Sequence, residues 1–441
     1  MKKEDIKVNT SKVWEEAKKV IPGGNSFFSK RPEQFLIGGG WPEYFQKSKG
    51  CEIWTPEGRK YMDMALMGVG TCTLGYANDE VDNEVIKSIN SGVMSSLNCP
   101  EEFELAEKLV NINPWSDMVR FTKSGGEANA VAIRIARSAA KNDKVAICGY
   151  HGWHDWYLAT NLNEKDSLDE HLMQGLFTSG VPKALAGLTF PFLYNDFEGL
   201  KSLVKNEDIG IIKMEVQRNS PPEDNFLHNV RDLCSKNGIV LIFDECTSGF
   251  RENLGGLHLK YEVYPDIAMY GKAMANGHAI CAVVGREEIM KHANNSFISS
   301  TFWSERSGYV AALKTLEIME RTKSYKAITK IGKKIKKSWL ELANTHKIDI
   351  SVRGLDALAG FNFESEHDHH YKSFITEHML SHSILATNSI YTCISHTEDK
   401  IQYYFDCLDN CFHEIGKRFP DDTLHDKMEF QDSALGFQRL N

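Results

Sequence analysis

Three short segments of the chain carry residues whose types and spacing can do chemistry together. The first, FTKSGGEANAVAIRIAR, places Ser124, Gly125 and Gly126 immediately before a strongly helical sequence. Backbone amides at a helix start bind phosphate, and glycines let the anion approach the backbone closely. The Ser124 hydroxyl can add a contact. The same residues also suit an ordinary capping turn, so this segment alone is a weak signal.

The second and third segments supply an acid and a lysine. IVLIFDECTSGFR is an apolar strand that delivers Asp244 and Glu245 at its carboxyl end, where parallel sheets place their ligands. Asp244 can pair with a protonated heterocycle nitrogen, or it can cap the next helix. DIAMYGKAMANGHAICAVVGR holds Lys272 in a glycine-flanked apolar stretch. Partial burial there makes the amine available for imine chemistry, whereas the alternative is a surface-loop lysine. Together the segments offer a phosphate cradle, an acid for a pyridinium and an imine-forming lysine.

The elements that must position these residues are predicted from hydrophobic periodicity. From about residue 61 to 305, apolar runs such as KVAICGY, GIIKMEV, GIVLIFDE and AICAVVG alternate with helical patterns. This alternation predicts a mostly parallel sheet covered by helices. A helix, a Lys-rich amphipathic stretch and shorter strands follow, and they predict a smaller α+β domain. The predicted division is an N-terminal arm over residues 1–60, a large domain over 61–305 and a small domain over 306–441.

Composition and charge exclude several classes of partner. The 441 residues, 42% hydrophobic and 25% charged, suit a globular protein of two domains. The net charge of −9, without a compact Lys and Arg run, offers no field for nucleic acid. No stretch approaches the roughly 20 apolar residues of a membrane span, and the N-terminus lacks a signal-peptide pattern. Ten cysteines without a CxxC pair indicate reduced thiols. We expect a cytoplasmic protein with a small-molecule ligand.

The ordered motifs resemble those of the class III aminotransferases of PLP fold type I, most closely their glutamate-1-semialdehyde aminomutase-like branch. The motifs run over nearly the whole chain and are IPGGNS, CEIWTPEGRKYMDM, VRFTKSGGEANAVAIRIAR, YHGWHDW, GVPKALAGLTFPFLYND, LIFDECTSGFR, YGKAMANG and STFW. The resemblance implies an α/β fold with a mostly parallel seven-stranded sheet in a large domain, and a smaller α+β domain. It also implies pyridoxal 5′-phosphate (PLP) as cofactor and a homodimer with shared active sites.

The resemblance assigns roles to individual residues. Lys272 matches the Schiff-base lysine, which would also move a proton between the substrate α-carbon and C4′ of the cofactor. Asp244 matches the partner of the pyridine nitrogen. Tyr150 matches the aromatic residue that stacks on the ring, and Thr301 matches the threonine that reaches the phosphate of the neighbouring subunit. The expected cofactor contacts are Ser124, Gly125, Gly126, Tyr150, His151, Glu215, Asp244, Cys246, Lys272 and Thr301.

Three positions depart from the family pattern. DEV becomes DEC, so Cys246 takes the place of the apolar residue behind the ring, and its soft sulfur should preserve that contact. SGTEA or SGSEA becomes SGGEA, which removes one side-chain contact to phosphate and keeps the backbone. STFGGN becomes STFWSE, and Trp303 is expected to reshape the substrate entrance. The other candidate substrate contacts are Ser26, Lys30, His151 and Trp153.

The reaction stays open at this level. We favour an aminotransferase acting between an amino donor and a carbonyl acceptor. The reason is that ILATNSIYTCISHTE shows neither a clear carboxylate-binding arginine nor the acid of the mutase. The alternatives are an intramolecular aminomutase of the glutamate-1-semialdehyde type, another PLP reaction such as decarboxylation, and a silent PLP-binding assembly protein. Intact Lys272 and Asp244 argue against the silent protein. A nicotinamide oxidoreductase is less favoured because no GxGxxG follows an early strand.

One polar cluster invites a metal site. His367, Asp368, His369 and His370 are consecutive, but their ligand spacing is irregular and the segment is polar throughout. The cluster therefore predicts a solvated loop, and no metal is expected.

Overall fold

The computed structural model describes residues 9–162 and 176–434. The strands are β1 (Lys47–Lys49), β2 (Glu52–Trp54), β3 (Lys60–Met64), β4 (Met118–Thr122), β5 (Val145–Cys148), β6 (Thr189–Pro191), β7 (Ile211–Glu215), β8 (Val240–Asp244), β9 (Ile267–Tyr270), β10 (Cys281–Gly285), β11 (Ile350–Arg353), β12 (Leu358–Phe363), β13 (Ile384–Ala386) and β14 (Ser389–Tyr391).

The helices are α1 (Thr10–Val20), α2 (Met67–Gly70), α3 (Asp79–Asn90), α4 (Pro100–Ile112), α5 (Gly125–Ala140), α6 (Asp155–Leu158), α7 (Phe197–Glu207), α8 (Phe226–Asn237), α9 (Glu287–Met290), α10 (Arg306–Thr322), α11 (Ser324–Thr345), α12 (Asp368–Ser381) and α13 (Glu398–Gly416). Short 3-10 turns include Phe28–Lys30, Lys272–Ala275 and Thr301–Ser304. Within the described ranges, no helix combines the length and the apolar character needed to cross a membrane.

The chain forms two compact units. Of the described residues, the smaller unit comprises 9–78 and 327–434, and the larger unit comprises those between 79 and 326. The sequence predicts boundaries after residues 60 and 305 instead. β3 pairs with β2 and β13 of the smaller unit. α10 packs on α3 and α4 of the larger unit. These contacts explain why both boundaries between the units lie later in the chain than the predicted domain boundaries.

The larger unit is built on a seven-stranded sheet with the order β4-β10-β9-β8-β7-β5-β6. β10 runs antiparallel to β4 and β9, and the remaining neighbours are parallel. The sheet confirms the predicted mostly parallel, seven-stranded architecture. Every residue of β5, β7, β8, β9 and β10 is buried, which explains their continuous apolar runs. Glu215 lies opposite Asp244 in the register of β7 and β8, so their side chains share one edge of the sheet.

The smaller unit has an α+β architecture, as predicted. A four-stranded sheet has the order β1-β2-β3-β13, and a three-stranded sheet has the order β11-β12-β14. β13 pairs with β3 in parallel, with Ile384 opposite Met62. The core of the unit includes Trp339, Phe361 and Phe412, each fully buried.

The prediction of a solvated loop at the histidine cluster is wrong. Asp368 begins α12, and His370 is only 5% exposed. The Nε2 atom of His370 accepts the amide N–H of Leu424 at 2.9 Å, and its Nδ1 lies 2.9 Å from Oδ1 of Asp432. Because both ring nitrogens have partners, this polar side chain is buried without an unmet hydrogen bond.

Candidate active site

Asp244 occupies the carboxyl end of β8 and is 3% exposed. Its Oδ1 accepts the amide N–H of Cys246 at 3.1 Å, and its Oδ2 lies 2.9 Å from Nδ1 of His151. Burial raises the pKa of the carboxyl, but the charge of Lys213 and the hydrogen bond from His151 outweigh burial and place the pKa below its ordinary value. Asp244 is therefore an ionised carboxylate that can hold a cationic nitrogen.

His151 fixes the orientation of Asp244 from the loop that follows β5. Its imidazole is completely buried, and burial lowers its pKa, so the ring is neutral with its Nδ1 proton directed at Asp244. The other ring nitrogen, Nε2, is buried without a hydrogen-bond partner. A buried ring nitrogen without a partner is uncommon and calls for a specific explanation.

Lys272 begins the 3-10 turn that follows β9. Its φ of 37° lies in the left-handed region, which is strained for a residue with a side chain. Its Nζ donates a hydrogen bond to Oγ1 of Thr247 at 2.6 Å. A Cβ atom at the preceding residue, Gly271, would come within 2.7 Å of the Cys281 sulfur, so any larger residue there would displace that side chain. The lysine is thus held by its backbone and by its amine.

The first turn of α5 combines a cap with accessible amides. Oγ of Ser124 accepts the amide N–H of Glu127 at 3.4 Å, and the Glu127 carboxylate accepts the amide N–H of Ser124 at 3.0 Å. This capping box shows that the capping function anticipated for Ser124 is real. It leaves the amides of Gly125 and Gly126 in the first helical turn, where an anion can accept from them.

The loop over residues 149–154 lies against this helix start. Gly152 has a φ of 96°, and a Cβ atom there would be 3.1 Å from Cα of Gly126. A Cβ atom on Gly126 would in turn be 2.7 Å from Cε1 of His154. Trp153, which is 70% exposed, packs on His154 with ring centroids 4.4 Å apart. The two glycines therefore allow an approach that any side chain would prevent.

Tyr150 and Glu215 are joined at the same edge of the sheet. The amide N–H of Tyr150 donates to Oε2 of Glu215 at 3.1 Å. Gly149, at a φ of 112°, leaves room for Glu215, since a Cβ atom would lie 2.7 Å from its Oε2. Tyr150 is half-buried two residues after β5, and its ring makes an edge contact with Tyr157, with centroids 6.1 Å apart.

A small cavity of about 80 Å³ opens at the carboxyl ends of β5 and β7. It is lined by Cys148, Gly149, Tyr194, Asn195, Glu215, Arg218, Asn219 and Ser220. Arg218 is the positively charged residue in the lining of this cavity. From the sequence, a carboxylate-binding arginine is considered only in the C-terminal segment, and Arg218 is therefore missed. The sequence feature that could have identified Arg218 is its position in EVQRNSPP, shortly after a strand that ends at the site.

The structure also places the remaining candidates. Thr301 is exposed at the start of its 3-10 turn, and Trp303 is half-buried against the core around α5, with a buried Nε1 that lacks a partner. Ser26 and Lys30 are exposed residues of the smaller unit. Their contacts with substrate or with a second subunit stay predictions.

Lys213 is a site residue that the sequence pattern does not single out. It lies in the middle of β7 with no exposed surface, and its Nζ is 3.8 Å from Oδ2 of Asp244. A charged residue inside the apolar run GIIKMEV is the only signal that the sequence offers.

A parallel sheet that ends in a buried acid, with an imine-capable lysine beside it, defines a PLP-dependent enzyme of fold type I. The family described as Aminotransferase class-III matches residues 41–395, and the chain belongs to this family. The 3-aminobutyryl-CoA aminotransferase of Cloacimonas acidaminovorans (strain Evry) is 33% identical over 92% of this chain and 97% of that protein. The glutamate-1-semialdehyde 2,1-aminomutase of Methanosphaera stadtmanae is 28% identical over 90% and 96%.

Solved structures share the fold. The FumI protein of Sphingopyxis sp. MTA144, in a PLP form, superposes with a TM-score of 0.83 and 21% identity, covering 95% of this chain and 99% of that chain. A glutamate-1-semialdehyde aminomutase from Pseudomonas aeruginosa PAO1 gives a TM-score of 0.78 at 17% identity, covering 92% and 94%. The protein therefore has the architecture of the PLP-dependent transaminases.

PLP is the cofactor of this class of enzyme, and the residues at the site fit it. The ionised carboxylate of Asp244 suits a pyridinium nitrogen, and the first-turn amides of α5 suit a phosphate. The Cys246 sulfur lies 3.8 Å from the position of a Cβ atom on Gly125, so the sulfur and the helix start face each other across a short distance. The donor set is the one that a phosphorylated pyridine aldehyde requires.

Proposed function

We propose that Lys272 carries PLP as a Schiff base and that the protein transfers an amino group from a small-molecule donor to a carbonyl acceptor. The supporting observation is the pairing of a strained, Thr247-bonded lysine with the buried, ionised Asp244 of the neighbouring strand. When bound, PLP supplies an electron sink that stabilises negative charge at the substrate α-carbon.

The residues of this chain have separate tasks in that reaction. Asp244 holds the proton on the pyridine nitrogen, and His151 keeps the carboxylate in place through its Nδ1–H. The amine of Lys272 takes the proton from the substrate α-carbon and delivers it to C4′. Thr247 orients that amine. The first-turn amides of Gly125 and Gly126 hold the phosphate.

Arg218 is the residue that we assign to an anionic group of the substrate. Its guanidinium lines the cavity at the ends of β5 and β7, one strand away from Asp244. Guanidinium groups bind carboxylate and phosphate through paired hydrogen bonds. The relative from Cloacimonas acidaminovorans acts, by its name, on 3-aminobutyryl-CoA. A carbonyl acceptor with a carboxylate or phosphate group is the substrate class that this cavity favours.

An intramolecular aminomutase is the second candidate, because several aminomutases match 90% or more of the chain. The two reactions differ in the fate of the amino group. A transferase converts an added donor to its carbonyl product, whereas a mutase returns the group to the same molecule. Incubation with ¹⁵N-labelled donors distinguishes them, because only a transferase releases labelled nitrogen to a separate acceptor.

We also propose that the protein is a homodimer whose subunits share their active sites, and that it is located in the cytoplasm. Large apolar side chains of the larger unit are exposed, among them Leu97 at 83% and Phe297 at 87%. Such side chains favour burial in an interface. Thr301 would then reach the phosphate of the neighbouring subunit. All ten cysteines are free thiols, which is typical of a reducing compartment. Analytical ultracentrifugation tests the dimer, and a monomeric holoenzyme would contradict it.

The visible absorption spectrum tests the proposed reaction. Purified protein is titrated with individual amino acids and amines, beside Lys272→Ala and the surface variant Lys291→Ala. We expect a visible imine band in the wild type and in Lys291→Ala, and its loss in Lys272→Ala. A productive donor shifts the band to that of the pyridoxamine form. If no band forms even with added PLP, the assignment of Lys272 is wrong.

A further inference from the structure

Lys213 is a lysine at the centre of a fully buried strand. It has no exposed surface, and all five residues of β7 are buried. Lysine is almost never buried completely unless it is paired, because its charge is costly outside water. The proposed reaction uses Asp244, His151 and Lys272 and leaves this cation without a task.

The neighbours of the Lys213 side chain lie on the adjacent strands of the sheet. Its Nζ lies 2.9 Å from the Met269 sulfur on β9 and 3.8 Å from Oδ2 of Asp244 on β8. Burial lowers the pKa of Lys213, and this effect is opposed by Asp244 at the end of β8, by Cys246 just after it and by Glu215 on the same strand. His151, after β5, is the other titratable group that interacts with Lys213. Among these groups Asp244 is its ion-pair partner.

The carboxylate of Asp244 is thus shared between two hydrogen-bond donors and a buried lysine. The amide N–H of Cys246 binds Oδ1 of Asp244, and His151 binds Oδ2. Lys213 is close enough to form an ion pair with Oδ2 as well. Charges separated by this distance interact strongly when both are buried. A cationic ring nitrogen placed against Asp244 therefore meets a carboxylate whose charge is already partly balanced.

We propose that Lys213 is a positioning residue that acts through Asp244, as a buried counterion that weakens the hold of this carboxylate on the proton of the pyridine nitrogen. The inference rests on the proposed placement of that nitrogen at Asp244. Two consequences follow. Asp244 keeps a counterion when the cofactor is absent, and PLP binds less tightly than it would to Asp244 alone.

The test compares Lys213→Met with the wild type. Methionine keeps an unbranched chain of similar length beside Met269 and removes the charge. We expect apo-Lys213→Met to bind PLP at least about tenfold more tightly in an equilibrium titration, the equivalent of one pKa unit at the ring nitrogen. We also expect the ¹⁵N resonance of [¹⁵N]PLP to move towards the protonated form. Lys205→Met, on the exposed side of α7, is the matched control and should change neither quantity.

A double-mutant cycle with Asp244→Asn separates this inference from the proposed function. In the Asp244→Asn background, Lys213→Met should change the PLP dissociation constant by less than about twofold, because the shared carboxylate charge is gone. Equal affinity of Lys213→Met and wild type, or a tenfold change that persists with Asp244→Asn, overturns the inference. If Asp244→Asn alone does not weaken PLP binding, the proposed placement of the ring is wrong instead.

Lys213→Gln provides a second neutral variant if Lys213→Met does not fold. It is expected to tighten PLP binding in the same direction, and an unchanged dissociation constant would contradict the inference equally. The ¹⁵N resonance adds a readout that a purely structural lysine would not move.

Discussion

The hydrogen bond between Lys272 and Thr247 gives the candidate nucleophile a fixed direction. The amine has several rotatable bonds, and the contact of 2.6 Å selects one orientation among many. The strained φ of Lys272 limits the backbone on the other side. The reactive atom is therefore positioned from both ends of its side chain.

Thr247→Val tests this positioning. Valine keeps the shape of threonine and removes the hydroxyl, so the amine loses its acceptor. We expect kcat to fall about tenfold or more with PLP content unchanged, the effect of losing one hydrogen bond to a charged group. Thr315→Val is the control, because the buried Thr315 hydroxyl has no partner. Equal kcat values for the two variants would contradict the role of Thr247.

Arg218→Gln tests the proposed anion contact. We expect KM for a carboxylate- or phosphate-bearing acceptor to rise about tenfold or more, with kcat and PLP affinity little changed. The reason is that the guanidinium binds the non-reacting end of the substrate. Arg134→Gln, on the exposed side of α5, should leave KM unaltered. A selective loss of kcat would show that Arg218 serves the chemistry instead.

The residues at the site differ in how far the sequence predicts them. Asp244 ends one recognisable strand and Lys272 follows another, and both lie at the carboxyl edge of the sheet. Lys213 is missed because lysine is rarely buried completely, and the strand GIIKMEV alone does not show that Asp244 of the next strand lies beside it. Arg218 is missed because its cavity forms only when β5 and β7 lie side by side.

At the scale of elements, the contact between residues 149–154 and the first turn of α5 requires glycine on both sides. A Cβ atom on Gly152 would lie 3.1 Å from Cα of Gly126, and the φ of 96° at Gly152 also favours glycine. The loop therefore protects a helix start whose amides are assigned to phosphate.

Gly152→Ala is expected to damage both the loop and the site. The strained φ and the steric contact should lower the free energy of unfolding by about 2 kcal/mol and weaken PLP binding. Urea denaturation and PLP titration measure the two effects. Gly238→Ala is the control, since Gly238 also has a positive φ but its Cβ would meet open space. Its PLP affinity should equal that of the wild type; a matching loss there would point to general destabilisation.

The strands were predictable from the sequence where both faces of the strand are completely buried. The apolar runs at β5, β7, β8 and β10 needed no tertiary information, because a strand covered on both sides is apolar throughout. The start of α12 was not predictable, because His370 owes its burial to Leu424 and Asp432, which come more than fifty residues later. Local polarity indicates solvent when the partners are distant in sequence.

At the scale of the whole molecule, each unit contains a fully buried neutral histidine. His151 belongs to the larger unit and His396 to the smaller one. Burial lowers the pKa of both from the ordinary 6.5. Nδ1 of His396 accepts the amide N–H of Cys393, so this nitrogen is committed as an acceptor.

Stability should fall as the solution becomes acidic. Below about pH 6.5 the unfolded chain binds protons at these histidines and the folded chain does not, so each contributes a loss of up to about 1.4 kcal/mol per pH unit until its folded pKa is reached. Urea denaturation at about pH 7.5 and at about pH 5.5 measures the change. His396→Gln should reduce the pH dependence, and the exposed control His228→Gln should not. A pH-independent midpoint in the wild type would contradict this expectation.

The parallel pairing of β3 with β13 has a consequence for synthesis on the ribosome. Residues 79–326 of the larger unit emerge as one uninterrupted stretch, whereas β3 emerges early and meets its neighbour only when Ile384 has been made. Until then the first three strands have an unpaired edge, and such edges recruit other chains. A nascent chain that stalls before residue 384 would contain residues 79–326 but would leave this edge of the smaller sheet unpaired, so premature termination would favour aggregation.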